Sequence, residues 1–306
     1  MKHAGQKIRG KRLYTVTGIH ATGGQSQILT AHGENGEDVA IKIPHASARN
    51  DTRQTSHLIK EAFLLRRLTR ARVPGVVQYI EHGVWEDAPF LACELLHGET
   101  LEVTVHRKRP SLQTCLDWFI SLIETLMSVH RQRIIHGDLS ARNVMLCNDK
   151  PVLIDLGIAR DAHDPIVPAG SIGYLAPEVL NLMGNQDSVL RYVVVGGHCQ
   201  DVYALGILLH EMITGKIPFQ IVEGAMNPWY ALAYQHLTLR PPNMLFSEES
   251  QAVGTLINAL VQEMLAKDPA HRPALHLILS QAREIQYQLT PRDSFESPPT
   301  WFHSTP

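Results

Sequence analysis

The sequence predicts an α+β protein of two units, either two domains or one two-lobed domain: a small, largely antiparallel β-rich part carrying one helix, then a larger, mainly α-helical part. Three observations predict it. Short strand-like runs crowd the first 94 residues, helical stripes fill the chain beyond residue 98, and 306 residues at about 150 per domain make two units. With 44% hydrophobic and 19% charged residues the chain can bury a core, which excludes a disordered polymer. Its 28 basic and 30 acidic side chains leave a formal charge of -2. That balance exerts no bulk pull on nucleic acid or anionic lipid, so neither is an expected partner.

Residues 1–12 include Lys2, Lys7, Arg9, Lys11 and Arg12 with no hydrophobic segment behind them, and read as a basic N-terminal arm, solvated and frayed. Strand-like runs follow at 14–17, 28–31 and 39–43, the last two joined through Asn35-Gly36, a hairpin signal because both residues tolerate positive φ. Thr55 or Ser56 is expected to cap a helix in which Leu58, Ala62, Leu65 and Leu68 recur at helical spacing. Glu61 lies on that same apolar face. A charge there is costly without a partner, and Lys42, alone inside an apolar strand, is the cation read as its pair. Residues 76–79 and 90–94 predict two more strands, and Leu96-His97-Gly98 a connector.

Beyond it Cys115, Leu116, Phe119, Leu122, Ile123 and Leu126 form a broad helical stripe, and another covers 202–212. Residues 290–306, rich in Pro, Ser and Thr, read as a disordered tail. No apolar run approaches the roughly 20 residues of a membrane helix, so no membrane span is expected. Cys93, Cys115, Cys147 and Cys199 lack the close pairs of zinc or redox motifs. They read as free thiols of a reducing compartment, which places the protein in the cytoplasm.

The chemistry gathers around a predicted hairpin, 144–146 against 152–154, with 147–151 as its turn. Pairing 146 with 152 sets Asn143 opposite Asp155, at about 5 Å between Cα atoms. Two oxygen donors so placed suit Mg²⁺. Asp138, five residues before Asn143, adds a carboxylate able to orient or deprotonate a hydroxyl nucleophile. This is the outline of metal-assisted phosphoryl transfer.

The same residues resemble the signature set of the eukaryotic-like protein kinase family. Val39-Ala40-Ile41-Lys42 is similar to its VAIK strand, and Glu61 to its helix glutamate. His136-Gly137-Asp138-Leu139-Ser140-Ala141-Arg142-Asn143 resembles the catalytic loop, Asp155-Leu156-Gly157 the DFG motif and Ala176-Pro177-Glu178 the APE motif. Asp201-Val202-Tyr203-Ala204-Leu205-Gly206 and the block from Lys267 to Pro273 resemble two further family blocks, and the likeness runs from about 13 to 287. It implies a bilobal protein-kinase-like fold over 13–289, with an N-lobe at 13–94, a hinge at 94–98 and a C-lobe at 99–289.

The resemblance also implies roles. Lys42, held by Glu61, would neutralise the α and β phosphates of ATP. Asn143 and Asp155 would hold Mg²⁺, and Asp138 would align the acceptor hydroxyl. Glu94 and Leu96 would belong to the adenine-binding hinge, with Ile28, Ala40 and Met145 sandwiching the base and Cys93 at the gatekeeper position. Glu178 and Arg272 match a structural ion pair. Ser140, Arg142 and Ser171 read as surface or capping residues at least as readily as substrate contacts.

There are departures from the family pattern. Ala21-Thr22-Gly23-Gly24-Gln25-Ser26 stands where the family has GxGxxG, and of its glycines Gly23 clearly survives. Gly137 replaces the arginine that receives an activation-loop phosphate, and 158–170 contains no Ser, Thr or Tyr. The expectation is therefore a non-RD kinase that transfers the γ-phosphate of Mg-ATP to Ser/Thr of protein substrates without needing activation-loop phosphorylation. An ATP-binding pseudokinase scaffold and a small-molecule phosphotransferase are the alternatives. Glu178 and Asp201 stand 23 positions apart, wider than the family spacing, and the excess within 181–200 offers a partner or dimer contact.

Overall fold

Every second side chain of the first long strands is apolar, and the small-lobe sheet forms around those side chains. The computed structural model describes residues 3–22, 26–48, 51–166, 168–184, 197–221 and 224–289. In it β1 (Lys7–Arg9), β2 (Leu13–Thr22), β3 (Ser26–Gly33), β4 (Asp38–Pro44), β5 (Tyr79–Trp85) and β6 (Ala88–Glu94) form one antiparallel sheet, ordered β1-β2-β3-β4-β6-β5. Tyr14, Val16, Leu29, Ala31, Val39, Ile41 and Phe90 pack together as its own apolar cluster.

The expected frayed arm is corrected here. From residue 3 the chain is described, and β1 pairs Ile8 with Tyr14, wholly burying Ile8 while Lys7 and Arg9 stay exposed. Glu81 of β5 accepts the backbone N–H of Lys11 at 2.9 Å and of Arg12 at 3.2 Å, tying the segment after the first strand to the last strand of the sheet. One buried isoleucine in a basic run is a weak periodic signal, and the anchoring carboxylate lies about 70 residues away.

The helix of the small lobe, α1 (Thr52–Arg70), begins ahead of the expected caps, with the Gln54 N–H donating to Asp51 Oδ1 at 3.4 Å. Leu58, Ala62, Leu65 and Leu68 are buried as their spacing demands. The strand expected at 76–79 is displaced: Val76 makes only an isolated bridge to Leu153, and β5 begins at Tyr79. Glu86 and Asp87 turn it back at φ 48° and 60° without a glycine to announce the hairpin.

After β7 (Glu99–Thr100) and α2 (Leu101–Lys108), the Ser111 hydroxyl caps α3 (Leu112–Arg131), whose predicted stripe is buried. β8 (Ile134–Ile135) pairs with β11 (Arg160–Asp161), and between them β9 (Val144–Cys147) pairs with β10 (Lys150–Leu153). Five helices complete the large lobe: α4 (Pro177–Gly184), α5 (Gly197–Thr214), α6 (Pro228–Thr238), α7 (Gln251–Met264) and α8 (Leu275–Leu289). Residues 200–212 of α5 are all buried, so this helix is the axis of the lobe, with α3 and α7 packed on it. Of the segment 181–200, the description covers the end of α4 and the start of α5. Residues 185–196, like the tail at 290–306, lie outside the described residues, so the partner contact expected there has no structural account. No helix among the described residues is long and apolar enough to cross a membrane. All four cysteines are free.

Candidate active site

Strand alternation sets up the site. Val39, Ile41 and Ile43 of β4 enter the sheet's apolar cluster, so Ala40 and Lys42 face the other way, toward α1. Lys42 Nζ donates to both carboxylate oxygens of Glu61, at 3.0 and 2.9 Å, and to Asp155 Oδ1 at 3.0 Å. Glu61 is 2% exposed. Burial pushes its carboxyl up from the ordinary range, against the opposing pull of Lys42. Burial alone would lower the Lys42 amine; the carboxylates of Glu61 and Asp155 outweigh it and hold the amine protonated. Burial would likewise raise Asp155, but Lys42 and the Gly157 N–H, donating to Oδ1 at 2.7 Å, keep it below its usual value.

The predicted register of the hairpin is off by one residue. β9 and β10 pair Leu146 with Pro151 and Val144 with Leu153 across a two-residue turn, Asn148-Asp149, at φ 50° and 59°. Pro151 reads from sequence as part of the turn, yet it starts the paired strand, a position proline tolerates. Residue 143 therefore lies beside 154, whose N–H donates to Asn143 O at 3.1 Å, and Asn143 is not directly opposite Asp155. Its amide Nδ2 turns instead to Asp138, donating to the backbone O at 2.8 Å and to Oδ2 at 3.0 Å. The other oxygen of Asp138, Oδ1, accepts the Ser171 N–H at 2.7 Å.

Sequence reasoning placed Asp201 in a motif without giving it a task. Buried on α5, it accepts the backbone N–H of His136 at 2.9 Å, that of Gly137 at 2.8 Å, and His130 Nε2 at 2.8 Å. Burial would raise its pKa; His130 and the amides hold it low. The loop carrying Asp138 is thereby pinned at its root. Gly137 takes φ 78°, where a side chain would be strained, and an added Cβ would meet Gln200 Nε2 at 3.1 Å. Ser140 is wholly buried rather than on the surface, while Arg142 is exposed and paired with Glu102 at 2.8 Å. A buried aspartate inside an apolar helix was the available signal for Asp201.

Two adjoining cavities share Lys42 and Glu61. One, of about 380 Å³, is lined by Lys42, Glu61, Asp138, Asp155, Gly170 and Ser171. The other, about 80 Å³ and largely apolar, is lined by Ile28, Ala40, Cys93, Glu94, Leu96 and Met145. The structure so brings together the residues predicted around the base and phosphates. Gly23 lies outside the described residues, and Asn143 does not line either cavity but meets Asp138 directly.

The site is thus a slot of apolar walls opening on a lysine and two carboxylates, between a β-rich and a helical part. The protein kinase domain model matches residues 14–283, so the chain belongs to the protein kinase domain family, and its two parts are the lobes of that fold. It is 29% identical over 245 residues to serine/threonine-protein kinase D3 of Mus musculus, covering 77% of this chain and 25% of that protein. A probable serine/threonine-protein kinase of Corynebacterium efficiens is 29% identical over 267 residues, 82% of this chain and 38% of the relative. Serine/threonine-protein kinase pkn3 of Myxococcus xanthus is 26% identical over 285 residues, 89% and 49% respectively. The chain thus spans a quarter to about half of the length of these relatives.

Proposed function

We propose that the chain transfers the γ-phosphate of ATP to serine or threonine hydroxyls of protein substrates. The observation that carries this reading is the Lys42 amine 3.0 Å from Asp155, in a cavity that Asp138 also lines. The donor set fits Mg²⁺, which when bound would neutralise phosphate charge. Asp155 offers a carboxylate, and Asn143 spends Nδ2 on both of its bonds to Asp138, leaving its Oδ1 for a cation. Lys42 supplies fixed positive charge to the phosphates, and Glu61 keeps it from collapsing wholly onto Asp155. Asp138 receives the acceptor hydroxyl, with Ser171 N–H and Asn143 orienting its carboxylate. Positioning and charge stabilisation supply most of the rate in such chemistry.

The reading includes independence from activation-loop phosphorylation. Two carboxylates of the segment after Asp155 already reach α1: Asp161 pairs with Arg67 at 3.1 Å and Asp164 with Lys60 at 3.0 Å. These pairs tie the segment to α1 with carboxylates of the chain itself. Transfer of labelled γ-phosphate from Mg-ATP to a generic protein acceptor, with Asp138→Ala as control and phosphoamino-acid analysis of the product, tests the whole reading. Label on Ser or Thr that the variant loses supports it. Nucleotide binding without transfer would favour a pseudokinase scaffold, and label confined to small molecules a small-molecule phosphotransferase. Loss of transfer after phosphatase treatment, with the lost phosphate mapped to Ser171 or Tyr174, would overturn the phosphorylation-independent part alone.

A further inference from the structure

Gly170 and Ser171 line the phosphate cavity on one side and a groove of about 690 Å³ on the other. The Ser171 N–H holds Asp138, so a polypeptide whose hydroxyl reaches Asp138 must pass beside the mouth of that groove. Extended chain advances about 3.3 Å per residue, which carries neighbours of the acceptor over the groove wall.

One wall of the groove is apolar and partly solvent-facing, the rest of the lining being polar. Ile172, Ile217, Ile221, Trp229 and Leu232 line it, with Trp229 57% and Ile221 49% exposed. It is also held in place. The Asn227 side chain caps α6 by accepting the Tyr230 N–H at 3.1 Å, with Pro228 in the first helical position, which fixes Trp229 in the first turn. Gln235 Nε2 donates to Gln220 O at 2.7 Å and its Oε1 accepts the Gln220 N–H at 3.3 Å, clipping the loop that bears Ile221 to the same helix. The acidic groups of the groove are already engaged: Glu102 by Arg142, Glu211 by the Tyr174 hydroxyl. A preorganised apolar wall with partnered carboxylates favours an apolar over a basic occupant.

Resting on the proposed kinase reading, we infer that this groove selects protein acceptors with a large apolar side chain near the phosphorylated Ser or Thr, and that Trp229 and Ile221 are the specificity-determining residues. Burying such a side chain against them raises kcat/KM about tenfold over alanine at the same position.

The test is an array of peptides with a single acceptor on an alanine background, each flanking position replaced in turn by Phe, Leu, Arg or Asp. Phe or Leu is expected to exceed Ala about tenfold at one or two positions. That ratio should fall toward one in Trp229→Ser and in Ile221→Ser, two exposed sites whose replacement spares the core. A flat array, a preference for Arg, or an apolar preference that survives both substitutions overturns the inference while leaving the kinase reading intact. Absence of Asp138-dependent transfer to every peptide and protein, with nucleotide still bound, overturns both.

Discussion

Among the described residues, the pairs Arg272–Glu178 and Lys42–Glu61 each join a cation to a buried glutamate, and they are built differently. Arg272 spends every guanidinium N–H inside the protein: its side chain is 0% exposed, both NH groups meet Glu178 at 2.7 Å, and further bonds run to the carbonyls of Ala266, Lys267 and Cys199. Lys42 makes the same kind of pair with Glu61, yet its side chain is 18% exposed, lines a cavity and is shared with a second carboxylate. A pair with every donor spent inside the protein maintains structure. A pair that keeps one face on a cavity and a third partner within reach is poised to meet a ligand.

Breaking the closed pair should have the largest effect. Arg272→Ala leaves Glu178 buried without a cation and should cost about 3–5 kcal/mol of stability, read as a lowered denaturation midpoint at unchanged m-value. Lys42→Met should act mainly on chemistry. Phosphoryl transfer is expected to fall about 10²–10³-fold, and the stability loss to be smaller than for Arg272→Ala because Glu61, already raised by burial, takes up a proton. Equal stability losses in the two variants would erase the distinction.

A third substitution probes the cavity side. Cys93, buried, lines the apolar slot that Lys42 also reaches, and Cys93→Phe should weaken bulky ligands of that slot about tenfold while ATP binding changes less. Unchanged affinity for bulky ligands would place the slot elsewhere.

An effect absent at neutral pH and seen only in acid belongs to the closed side. The Tyr203 hydroxyl is 3.0 Å from His236 Nδ1, and Arg272 stacks on the Tyr203 ring at 4.9 Å. Burial, with Lys267 adding to it, lowers His236 from 6.5 to about 3, so the folded protein keeps it neutral where the unfolded chain takes up a proton. Its stabilising share is full above pH 6.5 and declines as pH falls toward 3, by at most about a factor of ten in the folding constant per pH unit. His236→Gln should flatten that acid slope, and an unaltered slope would assign it to other groups.

Chemistry was more legible in the sequence than geometry. Lys42 with Glu61 could be paired from charge on apolar faces, and Glu178 with Arg272 and the residues around the apolar slot from the resemblance to protein kinases. The hairpin register could not, because Pro151 looks like turn chemistry and Asn148-Asp149 lacks the glycine that marks the tightest turns. The result is that Asn143 bonds Asp138 rather than facing Asp155. The first strand escaped notice since a single buried residue, Ile8, defines it, and the apolar groove since its walls come from three separated segments.

The sequence by itself determined the succession from β-rich to helical chain, the division into two units and the cast of charged residues, because periodicity and spacing are local properties of a chain. Only the tertiary structure decided that Glu81 would tie down the N-terminal segment, that Asp201 would pin the loop carrying Asp138 by its amides, and that Trp229 and Ile221 would share a wall beside Ser171. Those contacts join residues far apart in the chain. Their strength comes from burial and hydrogen bonding that exist only once the lobes are packed.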